Sequence, residues 1–419
     1  MDATANDSRR ARGQALAQSK GKRFRHIVGS KYLVPSAQDG AAGYVVDVEA
    51  GQCSCPDHEE RAVRCKHLWA VEFFRSEVTT PDGTTVVTEA VRLTCSQDWV
   101  AYHAAKDEEP DVMPVLLHSL CARVPEPKQG MGRPRIPARD AIYCSAMKVW
   151  AKDAHYDTGK MLREGAALGH IQRVPSLASR IRAMERADLT PILQDLVTVS
   201  AMPLRGVETV FAIDSTGFGT STFARWFDEK HGKGTQCRRY VKLHAMVGTR
   251  TNVYTAVHVT ESVGNGTGDC PNLVPLLHRA HAAGFQLDEV TADKAYLAHE
   301  VLAAIERFHG TPFIPFKSGS LPTGSPAWER MYIKFSADEA FWAHYHQRSN
   351  VEATFAATKK RCGGSVMSIN PDAQYNEVLL KCIVYNLSRL IHFRHELGIE
   401  ATFDAPRLPP KLLTAGSPA

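Results

Sequence analysis

The sequence predicts an α/β chain: a mixed five-stranded sheet with helices, preceded by a helical region and a small metal-binding module. Three observations predict it. Between positions 207 and 316, short runs with strand alternation are separated by segments of helical period. Across 140–200, apolar residues such as Leu177, Ile181 and Met184 recur at four- and three-residue steps. Three cysteines and a histidine fall within the 15 residues from Cys53 to His67.

Composition bounds what such a chain can be. At 419 residues there is room for two to three domains at ~150 residues each. Hydrophobic residues at 44% and charged residues at 23% exclude a wholly disordered or fibrous chain. No apolar run approaches the ~18 residues of a membrane-spanning helix. The first residues, MDATANDSRRARGQ, lack the apolar core of a secretory signal, so the expectation is a cytoplasmic protein with reduced thiols and no membrane partner. Fifty Lys and Arg against 45 Asp and Glu leave a net charge of +5, compatible with a nucleic-acid partner without requiring one.

The elements follow in order. Residues 1–39 read as a basic, flexible arm, with eight cations and no acid between positions 8 and 37; phosphate binding is the sharper reading of that block. Residues 43–48 form a strand and 67–75 a helix, framing a module over 40–75. Residues 76–140 read as a linker and helical boundary region. Within it, the acids and prolines of 106–110 and 125–127, then Gly-Arg-Pro-Arg at 132–135, predict extended, exposed chain. That tetrapeptide reads as linker, with a minor-groove contact as the alternative. Residues 141–205 read as a helical DNA-binding or dimerisation region.

From position 207 the pattern changes. A strand over 207–214 ends in Asp214, and 240–248 with 253–260 alternate as a β-hairpin. A helix over 271–283, a strand over 289–293, a helix over 297–308, a strand over 312–316 and helices over 337–361 and 375–394 follow. Three antiparallel strands, then alternating helix and strand, then helix, is the order of an RNase H-like domain. It spans 206–400, leaving 401–419 as a proline-rich tail.

Chemistry-bearing residues lie in two places. Cys53-x-Cys55, nine residues, then Cys65-x-His67 supplies three thiolates and an imidazole, the donor set of a closed tetrahedral zinc site. His58 is a spare ligand inside the loop. The cluster resembles the SWIM-type zinc finger, which implies one structural Zn²⁺ and a module that contacts nucleic acid or protein.

The second place is acidic. Asp214 and Asp293 each end an expected strand, and Ser-Thr-Gly-Phe-Gly after Asp214 reads as a small-residue turn open to a phosphate. Tyr345, Arg348, Glu352 and Lys359 share a ~60° arc if 337–361 is one helix, placing a carboxylate beside two cations and a phenol. The bland alternative is a solvent face with an Arg348–Glu352 i,i+4 pair. Lys242 and His244 share the polar face of the hairpin and line the cleft. Asp269 reads as a loop or capping residue, and Trp226 as a core tryptophan, with base stacking as the alternative.

With these residues in place, the sequence resembles the DDE transposases of bacterial insertion sequences, in the subgroup with the Tyr-Arg-Glu-Lys signature. The matching text is Phe211-Ala212-Ile213-Asp214-Ser215-Thr216-Gly217-Phe218, Tyr240-Val241-Lys242-Leu243-His244, Ala292-Asp293-Lys294-Ala295-Tyr296 and Tyr345 to Glu352. Only 58 residues separate Asp293 from Glu352, too few for a large inserted domain. The resemblance implies Mg²⁺ (or Mn²⁺), two ions held by Asp214, Asp293 and Glu352, with Asp214 bridging them. It implies cleavage at the element's end, joining of the 3′-OH to target DNA, and a homodimer on terminal inverted repeats. Arg348 and Lys359 would grip phosphates and Tyr345 would position a strand. Two other readings stand beside it: a different RNase H-like nuclease, and a domesticated derivative that binds DNA and regulates without cutting.

Overall fold

The computed structural model describes residues 3–20, 24–28, 30–36, 43–79, 85–89, 98–153, 158–220, 240–261, 268–337, 341–401 and 403. Trp226, Cys95, Cys237 and nearly all of the 401–419 tail lie outside the described residues. The chain divides into two compact units, one of residues 1–107 with 392–400 and one of 108–391 with 401–419.

In the first unit, α1 (Ala3–Lys20) packs on α3 (Lys66–Phe74). Gly13, Leu16 and Ala17 recur at helical spacing and form the packed stripe. Gly13 sits at the crossing. A Cβ there would lie 2.5 Å from Trp69 Cβ and 2.7 Å from the Lys66 carbonyl oxygen, so only glycine permits this approach. The basic segment is therefore a docked helix and not a free arm: the apolar stripe was obscured by the cations on its other faces. The chain then makes β1 (Arg25–Val28), β2 (Lys31–Val34), β3 (Tyr44–Asp47) and β4 (Gln52–Cys53), an antiparallel sheet in that order. The module's sheet thus begins well before position 40. The short helix α2 (Pro56–Arg61) lies between β4 and α3, and β5 (Arg75–Thr79) pairs with β6 (Thr85–Glu89), a hairpin where linker was expected.

The second unit holds both the helical region and the sheet. Residues expected to be extended from 106 are helical to the end of α4 (Trp99–Cys121), with Pro110 and Pro114 inside the helix. Each interior proline costs ~3 kcal/mol, but Met113, Leu117 and Leu120 are buried on one stripe, each contributing ~1.5–3 kcal/mol. Tertiary burial matches the penalty. Extended chain starts only at Val124 and includes the exposed Gly132–Arg135 stretch. Then come α5 (Ala138–Ala151), α6 (Gly159–Ala167), α7 (Leu177–Met184) and α8 (Thr190–Ala201).

The sheet contains β7 (Val210–Gly219), β8 (Tyr240–Gly248), β9 (Tyr254–Glu261), β10 (Glu289–Ala292) and β11 (Thr311–Phe313), in the order β11-β10-β7-β8-β9. β7, β8 and β9 are antiparallel neighbours, while β10 runs parallel to β7 and β11 parallel to β10. This is the RNase H-like arrangement the sequence predicts. The intervening helices are α9 (Cys270–Ala282), α10 (His299–Arg307), α11 (Pro326–Ala337), α12 (Phe341–Tyr345), α13 (Ser349–Cys362) and α14 (Pro371–Leu397). α8 packs on β9, and α13 packs on β7 and β8. Buried Asn386 of α14 joins them: it donates to the Val197 carbonyl at 3.1 Å and accepts from the Tyr254 amide at 2.8 Å.

Two local expectations change. β7 does not stop at Asp214. It continues to Gly219, pairing Asp214 with Ala245 and Gly219 with Tyr240, so the small-residue run is strand and not turn. Gly217 makes room for a neighbour and not for a phosphate, since a Cβ there would meet the Tyr240 ring at 2.8 Å. The helix expected over 337–361 is also broken, with a 3-10 turn at His346–Arg348 between α12 and α13. Tyr345 therefore ends one helix, and Glu352 and Lys359 stand on another.

Candidate metal centre and active site

Cys53 ends β4, Cys55 precedes α2, Cys65 precedes α3 and His67 lies in its first turn. All four are buried, and their ligand atoms lie within 4.8 Å of one another. Among the described residues this is the one group of three or more Cys, His, Asp or Glu gathered so closely. His67 Nδ1 is 3.9 Å from both Cys53 Sγ and Cys65 Sγ. Tetrahedral zinc with Zn–S of ~2.3 Å and Zn–N of ~2.1 Å has edges of roughly 3.6 Å, so the donors stand almost at bonding spacing. The Cys65 thiol is pulled down to about 3, chiefly by the Cys53 thiol and further by His67. Cys53 is pushed up in turn by Cys65 and by burial. A dication would remove that competition by binding all the sulfurs as thiolates. His58, the spare ligand, instead meets the Val63 carbonyl at 2.8 Å.

The acids come from three elements. Asp214 lies midway along β7, and Asp293 follows β10, where Ala292 pairs with Ile213; the two aspartates occupy neighbouring places on parallel strands. Glu352 projects from the first turn of α13 with a side chain 56% exposed. Arg348 joins two of them, donating to Asp214 Oδ2 at 2.9 Å and reaching Glu352 Oε1 at 2.7 Å. Burial raises the Asp214 carboxyl above its ordinary value, and Glu352 and Asp293 raise it further. The Ser215 amide and Arg348 oppose that rise, the amide by donating to Asp214 Oδ1 at 2.8 Å. The three carboxylates do not close to within 4.8 Å of one another, and a guanidinium stands between two of them. The donors are hard oxygens that already hold one cation, and hard divalent ions suit that donor set.

The other expected site residues divide. Lys359 donates to Thr216 Oγ1 at 2.7 Å and lies over the Phe218 ring at 5.3 Å, beside Asp214 on the same face of β7. Burial lowers its ammonium below the ordinary lysine value. Tyr345 stacks on Phe341 at 6.4 Å and packs edge-on to Trp342 at 5.6 Å. Lys242 and His244 pair in register with Gly217 and Ser215, on the opposite face of the sheet from Asp214. His244 does not line an open cleft: it is 1% exposed, meets Thr260 Oγ1 at 3.1 Å, and burial lowers its imidazole to about 4.

Sequence reasoning missed Asp269. It does not cap α9 through its side chain. Lys242 Nζ meets its Oδ1 at 2.9 Å and His244 Nδ1 lies 3.4 Å away. Burial would raise this carboxyl, yet its polar neighbours, Lys242 first among them, bring it below its ordinary value. Buried Tyr296 sits among the acids, its phenol pushed up by burial and then by Asp269, Asp214 and Asp293. The available signal was Lys242, a cation on a strand face, which requires a counter-charge.

Sheet order, acids and cysteine cluster together define an RNase H-like domain with acids at its central strands and a module that gathers three cysteines and a histidine. Family comparison agrees: residues 205–387 match the Transposase DDE domain and residues 44–75 match the SWIM zinc finger, so the chain carries a DDE transposase domain and an N-terminal SWIM finger. No curated protein and no solved structure matches the chain. Among the described residues, no helix is long and apolar enough to cross a membrane.

Proposed function

We propose that the chain is a DNA transposase that cleaves at the ends of an insertion sequence and joins the freed 3′-OH to target DNA, with Asp214, Asp293 and Glu352 as its metal ligands. The observation that carries this reading is the convergence of the three acids from separate elements. Asp214 and Asp293 neighbour each other on β7 and β10, and Glu352 is tied to Asp214 through Arg348. Magnesium or manganese, when bound, supplies an activated oxygen nucleophile and stabilises the leaving oxygen.

The chain's own residues set up that chemistry. Asp214 accepts from the Ser215 amide with one oxygen and from Arg348 with the other. Arg348 is the counter-ion of the two carboxylates; were metal ions to neutralise them, its planar fork would be free to hold phosphate oxygens. Lys359 adds a second cation on the same face, and Tyr345 positions the strand passing Arg348. Cys53, Cys55, Cys65 and His67 hold one structural zinc, which fixes the sheet and α3 of the finger. The partners are the element's terminal repeats and the target DNA, with two copies of the chain bringing the ends together in the cell's cytoplasm.

The test uses labelled duplexes made from the DNA flanking the coding sequence, with Mg²⁺ or Mn²⁺. Wild type is expected to nick the duplex at the element boundary and to transfer the labelled 3′ end to a plasmid. Asp214→Asn, Asp293→Asn and Glu352→Gln should each abolish both steps while binding the duplex as wild type does. Cleavage without joining would assign another RNase H-like nuclease, and DNA binding without cleavage a regulator.

A further inference from the structure

The loop joining α13 to α14, residues 363–370, is not used by the reading above, yet it is pinned from both sides. Buried Lys381 donates from Nζ to the carbonyls of Cys362, Gly363 and Ser365 at 2.7, 3.1 and 2.8 Å. Buried Glu377 lies 3.6 Å from that ammonium. It accepts from the Met367 and Ser368 amides at 3.0 and 3.1 Å and from the Ser368 hydroxyl at 2.8 Å. Gln374 donates to the Ser368 and Ile369 carbonyls, both at 3.1 Å. The Val366 amide donates to the Gly219 carbonyl at 2.9 Å, which fastens the loop to the end of β7. Charged groups are costly to bury, and here an ammonium and a carboxylate are both turned on one stretch of backbone.

What this backbone presents is apolar. Val366 is buried, but Met367 is 60% exposed and Ile369 93% exposed. A slack loop could fold such side chains away; a pinned one holds them out. Their surroundings are basic. α13 ends in Lys359, Lys360 and Arg361, the last paired with Glu109, and Lys152 donates to the Lys360 carbonyl at 2.9 Å. The Lys359 stem lies against the loop, 3.8 Å from where a Cβ on Gly364 would stand. Rigid apolar side chains beside cations match a polyanion whose apolar interior opens between stacked bases. We infer that Met367 and Ile369 form a wedge that enters duplex DNA and unstacks one base step, while Lys359, Lys360 and Lys152 hold the flanking phosphates. Gly219, where the loop is fastened, lies ~17 Å along β7 from Asp214. The opened step is therefore within roughly five base pairs of the cleaved phosphate.

This inference rests on the transposase reading, and its test separates the two. Boundary duplexes carry 2-aminopurine, which brightens when unstacked, at each position in turn around the cut. They are mixed with the full chain as wild type, as Met367→Ser/Ile369→Ser, and as Met367→Leu/Ile369→Leu. Wild type is expected to raise the fluorescence several-fold at one position, the serine variant to leave it at the free-duplex level, and the leucine variant to restore it. The serine variant should cleave paired duplex about tenfold more slowly, and recover on a duplex mismatched at the opened step. Its melting temperature should stay near wild type, because both side chains are exposed. An equal rise with the serine variant, or no rise with a wild type that cleaves, would overturn the inference and leave the transposase reading intact. So would a cleavage loss of the same size on paired and mismatched duplexes. Loss of a dimer by the serine variant in sedimentation without DNA would also overturn it, by making the patch a contact between copies. Failure of wild type to bind or cleave the boundary duplex would remove the transposase reading, and the inference with it.

Discussion

The finger and the acidic site both gather metal donors, but they close them to different degrees. In the finger, four buried donors from β4, the start of α2 and α3 stand within 4.8 Å of one another. In the catalytic unit, three carboxylates from β7, the end of β10 and α13 remain further apart, one of them more than half exposed, with Arg348 between two of them. On the proposed reading the difference is one between two uses of metal. A structural site is closed and supports its surroundings, while a catalytic site stays open to substrate.

The largest effect that sharpens this comparison is in the finger. Cys65→Ser, or chelation, should remove on the order of 10 kcal/mol of metal-linked folding energy from the first unit while the second unit still melts cooperatively. Zinc analysis alongside calorimetry checks it, and full zinc retention by Cys65→Ser would show that the ligand set is wrong. Next, Asp214→Asn should lower cleavage by about 10³-fold or more, a loss of ~4 kcal/mol in transition-state stabilisation, without unfolding either unit. A gel assay with a melting curve decides it; near-normal turnover would make the acidic site structural as well.

Third in size is a pH effect confined to the catalytic unit. His244 is neutral when folded, with an imidazole lowered to about 4 from an ordinary 6.5. Its contribution is fully present above pH 6.5 and is lost as pH falls toward 4, up to about 3 kcal/mol. Denaturant titrations of wild type and His244→Gln at pH 7 and pH 4.5 measure it; equal pH dependence in both would refute it. The smallest is Gly13→Ala, expected to cost ~1–3 kcal/mol in the first unit by forcing α1 off α3. An unchanged melting temperature would mean that the helix crossing is looser than 2.5 Å implies.

Much of this was legible in the sequence because its periods and spacings are local. Strand alternation around Leu243 and Val257, and the four-ligand spacing from Cys53 to His67, each need only neighbouring residues to be read. What escaped depends on distant contacts. The stripe of Gly13, Leu16 and Ala17 has meaning only once Trp69 lies against it, and Pro110 and Pro114 are helical only because Met113 and Leu117 find a core. Likewise β7 runs past Asp214 because β8 pairs with it throughout, and Asp269 meets Lys242 and His244 only because the fold brings the start of α9 to that face of β8.

Arg348 carries one more consequence. If Asp214 and Glu352 hold a divalent ion together, that ion would compete with a guanidinium already paired to both. Its apparent affinity would then be a difference between two binding energies. DNA should raise that apparent affinity, since phosphate oxygens would offer the guanidinium a new acceptor.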